Sequence, residues 1–207
     1  MANILICIPA MDTVATGFAQ SLAMLQKGGH QVAIAIECGS LVYDSRNKLA
    51  EKAIQMHADW TMWFDSDMIF EPDTMLKLLE TGEDFVSGLY FRRSPPYSLV
   101  AFDELNVDEN KWTDAKVPTE RTECGGVGFG CVLVKADVIF DVGLKYGTWF
   151  TPFKGFGEDL SFCWRARECG YKVMLEPKVK CGHVGHMVVT EDFHNVYAGG
   201  LANESEN

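Results

Sequence analysis

Residues 60–70 read WTMWFDSDMIF. The run is apolar and aromatic, as in a strand buried on both faces, yet Asp65 and Asp67 interrupt it one residue apart. Charge at that point places the carboxylates at or just past the strand's carboxyl end, where open α/β sheets bind their ligands. Extended residues at i and i+2 point to the same side. Two carboxylates so placed repel each other and raise each other's pKa unless a cation or hydrogen-bond donors stand between them. A divalent ion answers this, and oxygen ligands suit Mg²⁺ or Mn²⁺. The alternative is a plain turn, since Asp and Ser commonly follow strands in turns.

On either side the chain alternates. NILICIPA reads as a first strand, and the run from Thr16 to Gly29, with Phe18, Leu22 and Leu25 at helical spacing, as a helix capped by Thr16 and stopped at Gly28-Gly29. QVAIAIECG is a second strand, and YDSRNKLAEKAIQMHA a helix capped by Asp44 or Ser45. After the third strand, PDTMLKLLETG is a helix from Pro72 to Gly82, and DFVSGLYF a fourth strand. Alternation over residues 1–91 predicts a mostly parallel sheet with helices on both faces. Residues 92–120, with Pro95, Pro96 and Pro118, predict a loop or a small antiparallel excursion. GGVGFGCVLVKADVIFDVG returns to strand and short helix, GEDLSFCWRARECG is a helix opening on Glu158-Asp159 and ending at Gly170, and YKVMLEP is a late strand. No repeat or linker divides the chain.

The totals narrow the function. The 207 residues suit one domain and the 47% hydrophobic content a sizeable core. A formal charge of −11 argues against nucleic acid as a primary partner, because phosphate backbones need a basic face. Seven scattered cysteines without a CxxC pair read as reduced, mostly buried thiols of a cytoplasmic protein. The N-terminus reads as a strand and not a signal peptide, and no run reaches the ~18 apolar residues of a membrane helix, so no integral membrane segment is expected.

The order of motifs adds a resemblance. Arg46-Asn47 on a helix, then an apolar strand ending Asp65-Ser66-Asp67, then Pro72-Asp73 opening a helix, then Glu158-Asp159 opening a helix that ends in Gly170-Tyr171, and finally His183 after a late strand resemble the A-type-fold glycosyltransferases, family 2 in particular. The similarity runs over residues ~3–187. It implies a single-domain, Rossmann-like glycosyltransferase domain over residues 1–193. Residues 1–91 would be the nucleotide-binding half and 92–193 the acceptor and catalytic half, with an acidic, flexible tail at 194–207. It implies transfer of a sugar from a nucleoside-diphosphate donor, a UDP-sugar first, to a hydroxyl acceptor on a glycan, protein or small molecule, with Mn²⁺ or Mg²⁺ as cofactor.

By that resemblance Asp67 is the direct metal ligand. Asp65 contacts the ribose or the metal's water, Ser66 adds backbone or hydroxyl contacts, and His183 is the C-terminal metal histidine. His186 competes with His183 for that role, and Cys181, His183 and His186 would be the ligands of a zinc site instead. Asp159 is the expected base, held ionised at a helix N-terminus, with Glu158 as structural partner or acceptor contact; a capping role for the pair is the alternative. Pro9, Ala10 and Met11 after the first strand, Glu37 after the second, and Arg46 are expected around the nucleotide. Asp12 stands where many relatives carry a polar residue such as Asn. Arg92 and Arg93 follow the fourth strand, either near the phosphates or in solvent. Gly126 and Val127 are expected sugar contacts, with a bulge or tight turn as the alternative. Trp149 and Phe156 are the aromatic platform for an acceptor, with core packing as the alternative, and Gly147, Gly155 and Gly157 mark a loop that closes over the donor.

Two other functions fit parts of this pattern. A nucleotidyltransferase would normally carry a glycine- and lysine-rich loop after the first strand, whereas PAMDTVATGF has no basic residue. A non-catalytic sugar- or nucleotide-binding module would have no need of an ionised Asp159.

Overall fold

The computed structural model describes residues 1–185; the expectations for His186 and for the 194–207 tail lie outside them. In chain order the elements are β1 (Asn3–Ala10), α1 (Thr16–Met24), β2 (Gln31–Cys38), α2 (Val42–Gln55), β3 (Trp60–Phe64), β4 (Met68–Ile69), α3 (Thr74–Glu80) and β5 (Phe85–Leu89). Then follow β6 (Ala101–Asn106), β7 (Lys111–Asp114), β8 (Thr122–Cys124), β9 (Gly126–Val127), β10 (Cys131–Lys135), α4 (Ala136–Tyr146), α5 (Glu158–Glu168), β11 (Val173–Lys180) and β12 (Gly182–His183).

The main sheet has seven strands in the order β2-β1-β3-β10-β5-β11-β8. β1 is parallel to β2 and β3, and β5 to β11, while β10 and β8 run antiparallel to their neighbours. The expected mostly parallel sheet is present. Alternate side chains of each central strand feed two cores. Leu5, Cys7, Trp63, Val132 and Val134 pack with Leu49 of α2, Val138 of α4 and Phe162 of α5. Ile4, Ile6, Met62, Phe64 and Leu133 pack with Phe18 of α1 and Leu78 of α3. Helices therefore cover both faces, which is why these strands are apolar throughout. Thr61, fully buried, is explained by its hydroxyl: it donates to the Val134 carbonyl (3.0 Å) and accepts from the Trp63 indole (2.9 Å), so neither core polar group is left unpaired.

The helix ends differ from expectation. α1 has Ala15 at its N-cap and ends at Met24, so Thr16 lies inside the helix, and Gly28-Gly29, both at positive φ, form the turn beyond it. α2 begins at Val42 after Leu41, which puts Asp44 and Ser45 in its first turn. None of the five helices has a side-chain cap hydrogen bond. Burial of the helices against the sheet outweighs the ~1 kcal/mol that a cap supplies. The late strand continues past Pro177 to Lys180, with a register shift between Glu176 and Lys180. The antiparallel excursion exists as a separate three-stranded sheet, β7-β6-β9.

Candidate active site

β3 stops at Phe64, and the chain turns there, so Asp65 and Asp67 do not project as neighbours on one strand face. Four backbone hydrogen bonds hold this turn. Met68 N–H donates to Asp65 O (3.1 Å), Ala15 N–H to Ser66 O (2.9 Å), Val184 N–H to Asp67 O (2.9 Å) and Asp65 N–H to Gly130 O (3.2 Å). β12 pairs with β4, setting His183 opposite Met68. The late histidine is thereby fastened to the aspartate turn across more than a hundred residues of chain.

The two carboxylates have different partners. Asp67 faces Arg93 Nη1 and, at 3.4 Å, His183 Nε2. Burial pushes the Asp67 carboxyl up, but the His183 contact and the Arg93 charge outweigh it and hold the pKa below the usual value. The His183 ring pairs through Nδ1 with the Phe91 carbonyl (3.0 Å). With that nitrogen donating, the protonated ring turns Nε2–H toward Asp67, and the neutral ring would offer its Nε2 lone pair at the same place. The imidazole pKa is raised, chiefly by the hydrogen bond to Asp67 and against the effect of burial.

Asp65 gives one oxygen to Arg46 Nη2 at 2.6 Å. Arg46 is 2% exposed, and its Nε lies 3.5 Å from Glu158 at the start of α5. Its plane rests near the Phe129 and Phe150 rings, 5.4 and 5.8 Å from their centroids. Burial opposes its charge, but Asp65, Glu158 and Asp159 together raise its pKa. Arg46 thus couples the aspartate turn to the acidic helix start. Its Nη1 and Nε lack hydrogen-bond partners in this structure. Next to it, Asn47 Oδ1 accepts from the amides of Trp149 (3.2 Å) and Phe150 (2.8 Å), and Arg165 donates to the carbonyls of Trp149 (2.6 Å) and Thr151 (2.7 Å). The 148–151 segment is therefore tied to α2 and α5. Gly147 serves as the left-handed cap of α4 and not as the hinge of a closing loop.

Asp159 lies in the first turn of α5, behind Gly157. The Leu160 amide donates to it at 2.7 Å. Its carboxyl is pushed up to about 6: burial is the main cause and the adjacent Glu158 charge the second, with the Leu160 amide and Arg46 opposing them. The helix N-terminus alone does not hold it at an ordinary acidity. Desolvation and a like charge outweigh the helix end.

Two adjoining clefts share Arg46, Asp65, Arg93, Glu158 and His183. The first, of about 410 Å³, is walled by Pro9, Ala10 and Met11 with Gly39, Ser40, Val42, Ser66 and Asp67. The second, of about 450 Å³, holds Asp159 together with Tyr90, Arg92, Phe102, Trp112 and Phe129. Most of the expected residues converge here. Glu37 lies beside Pro9 in register, but neither cleft includes it and its carboxylate is 3.6 Å from Lys48. Gly126 and Val127 lie outside both clefts: Val127 is fully buried, and a Cβ on Gly126 would meet Leu160 at 2.9 Å. Trp149 donates its indole N–H to the Ile139 carbonyl (2.7 Å) and packs on the α4 side of the core, and Phe156 is buried with Phe102 and Leu160. These aromatics are core, and the exposed one is Trp112. It was discoverable as a lone tryptophan in the polar stretch ENKWTD. Gly39 and Ser40 were discoverable as the loop at the carboxyl end of β2.

A divalent cation fits this residue set. Asp67 and His183 Nε2 are 3.4 Å apart, close to the ~3 Å between two cis ligands each ~2.1 Å from one small ion, and Arg93 now supplies the positive charge there. Among the described residues no group of three His, Cys, Asp or Glu could hold an ion. The two side chains would share coordination with phosphate and water, and the imidazole suits Mn²⁺ better than Mg²⁺. Cys181 packs into the α1/α3 core, which gives the zinc alternative no support. All seven cysteines are free, four of them buried. No helix among the described residues is long and apolar enough to cross a membrane.

No family model and no curated protein matches this sequence. Solved structures do. A197 from STIV superposes with a TM-score of 0.64 at 17% identity, over 90% of this chain and 87% of that one. GalNAc-T7, crystallised with UDP, GalNAc and Mn²⁺, gives a TM-score of 0.63 at 12% identity, over 90% of this chain. S. aureus TarS residues 1–349 give 0.54 at 13% identity, over 89%. The match spans only 43% of the GalNAc-T7 chain and 60% of the TarS chain. At these identities the similarity concerns architecture alone: the chain has a mixed α/β fold, with a central mostly parallel sheet, similar to the A-type glycosyltransferase fold.

Proposed function

We propose that this protein is a glycosyltransferase that moves a sugar from a nucleoside-diphosphate donor, a UDP-sugar first, to a hydroxyl acceptor, with inversion at the anomeric carbon. The observation that carries this reading is the convergence of Asp67, His183 and Asp159, from three distant segments, on two clefts joined through Arg46 and Glu158. The GalNAc-T7 structure with UDP and Mn²⁺ supports the nucleotide and the metal.

In this reading the nucleoside lies against Pro9–Met11 and the Gly39–Ser40 loop. The diphosphate faces Asp67, Arg93 and His183. Asp67 and His183 would hold Mn²⁺ or Mg²⁺, which supplies positive charge to a leaving diphosphate. Arg93, whose side chain is 57% exposed, can leave Asp67 and pair with phosphate oxygens. Asp159 accepts the proton of the acceptor hydroxyl while that oxygen forms its bond to the anomeric carbon. The bond from that carbon to the diphosphate oxygen breaks, and its electron pair leaves with the nucleotide. Near pH 7 a carboxyl with a pKa of about 6 is mostly ionised yet more basic than an ordinary aspartate, which suits a general base. Glu158 contributes by raising that basicity and by holding Arg46.

Calorimetric titration of UDP and of GDP, each with Mn²⁺ and with EDTA, tests the donor site on wild type and Asp67→Ala. Metal-dependent binding of one nucleotide that is lost in Asp67→Ala is expected. Absence of binding by either nucleotide under both conditions refutes the proposal.

A further inference from the structure

The β6–β7 hairpin is the part of the fold that the nucleotide reading leaves unused. Along β7 the sequence is polar except for Trp112, which is 47% exposed. A register shift between Phe102 and Glu104 changes which β6 side chains face inward. Trp112 stands opposite Leu105 on β7, and its indole centroid is 6.4 Å from Phe102 and 6.1 Å from Phe156. Phe102, Phe156 and Leu160 form a small core of their own beneath it. The Phe102 and Phe156 rings meet the indole at interplanar angles of 84° and 54°, and Trp112, half exposed, lines the cleft that contains Asp159. Trp112 takes no part in the nucleotide cleft. The hairpin is itself anchored next to the acidic helix start: Lys154 reaches Asp108 at 2.9 Å, and Asn110 packs against Gly155, at positive φ.

A rigid, supported aromatic face beside a carboxylate base has a specific complement. A pyranose ring presents an apolar face of C–H groups and an equatorial rim of hydroxyls. The first suits an indole, a large amphipathic surface that loses little entropy on contact. The second suits the polar groups of the same cleft, Asp159, Glu158, Ser94 and Arg92. A few placed polar groups against an apolar wall is the usual make-up of a small-ligand site. An acyl chain would need continuous apolar walls, and the three acids and three arginines of this cleft deny it that.

We infer that the acceptor is a carbohydrate, and that Trp112 is its binding platform, stacking one sugar ring so that a rim hydroxyl reaches Asp159. This rests on the glycosyltransferase reading for the role of acceptor, but the sugar site itself does not.

Saturation-transfer NMR with methyl β-glucoside, methyl β-galactoside and methyl β-N-acetylglucosaminide, with and without UDP and Mn²⁺, tests it directly. At least one glycoside is expected to receive saturation at its ring C–H protons. Trp112→Ala and Trp112→Leu should weaken that glycoside by roughly tenfold or more, as loss of a stacking face does, and Trp112→Phe should weaken it less. Calorimetric UDP affinity within twofold of wild type, together with an unchanged circular dichroism spectrum, shows that a variant is folded. If Trp112→Ala fails these checks, Trp112→Leu decides. No saturation of any glycoside, or full saturation in a folded Trp112→Leu, overturns the inference. If UDP fails to bind wild type while a Trp112-dependent glycoside signal stands, the donor reading falls and the sugar site remains.

Discussion

Replacement of Arg46 by methionine isolates the residue that couples the two acidic segments. Methionine keeps most of the apolar contact with Phe129 and Phe150 while deleting the charge. Two effects oppose each other. The substitution relieves Nη1 and Nε, which lack partners, a gain of ~1–3 kcal/mol if both donors are dry. It also strands Asp65 and Glu158, whose side chains are 29% and 21% exposed, beside Asp159. Breaking a buried ion pair from one side costs ~3–5 kcal/mol. Here two carboxylates lose one cation, and partial exposure reduces the cost of each. The net expectation is a loss of about 2–4 kcal/mol at pH 7.5. The sign with pH follows from linkage. Arg46 is one of the groups that hold the raised Asp159 pKa down; without it that carboxyl rises further, so it destabilises above its unfolded value and ceases to do so once protonated. The deficit of Arg46→Met relative to wild type should therefore shrink as the pH falls from 7.5 towards 5. Urea denaturation followed by circular dichroism at both pH values measures it. A variant within 0.5 kcal/mol of wild type at pH 7.5, or a deficit that grows on acidification, would show that the ion pairs do not hold the site together.

Three further outcomes are expected. With the Asp159 pKa at about 6, kcat/KM for sugar transfer should fall about tenfold per pH unit below that value, and Asp159→Asn should lose about 10²–10⁴ in rate while UDP binding by calorimetry persists; a flat profile down to pH 5 would remove Asp159 as base. Removal of the neighbouring charge in Glu158→Gln should move that acid limb to lower pH, and a limb that moves upward would contradict the assigned cause. Gly128→Ala should lower stability by about 1–3 kcal/mol, because its Cβ would overlap the buried Tyr90 hydroxyl and come within 2.5 Å of Val100 Cγ1; an unchanged thermal midpoint would mean that Tyr90 can shift, and with it the wall of the catalytic cleft.

The strands were legible because each central one is buried on both faces and is apolar without interruption, as β1 and β3 are. The helix starts were not, since Leu41, Asp73 and Gly157 cap without side-chain bonds, and packing decides where such helices begin. The order of acidic motifs along the chain pointed to residues that do meet in space, but not to the way their charge is balanced. Repulsion between Asp65 and Asp67 was answered in the sequence by a divalent ion or, alternatively, by a plain turn; the turn after Phe64 parts them, and each faces its own arginine. Arg46 showed no sign of burial in the sequence, where it sits in the polar run DSRNK. The same limit applies to the whole chain's charge. A formal −11 describes the field at a distance and speaks against a polyanionic partner. The cleft that holds Asp159 differs from that average, because Arg46, Arg92, Arg93 and His183 line it among three carboxylates. The two descriptions are compatible because exposed charges are screened by salt beyond ~10 Å, whereas a group inside the cleft meets three arginines set against three carboxylates at close range. That is why the lining of the cleft had to be found from contacts, and why a net charge that argues against nucleic acid does not argue against the proposed nucleotide.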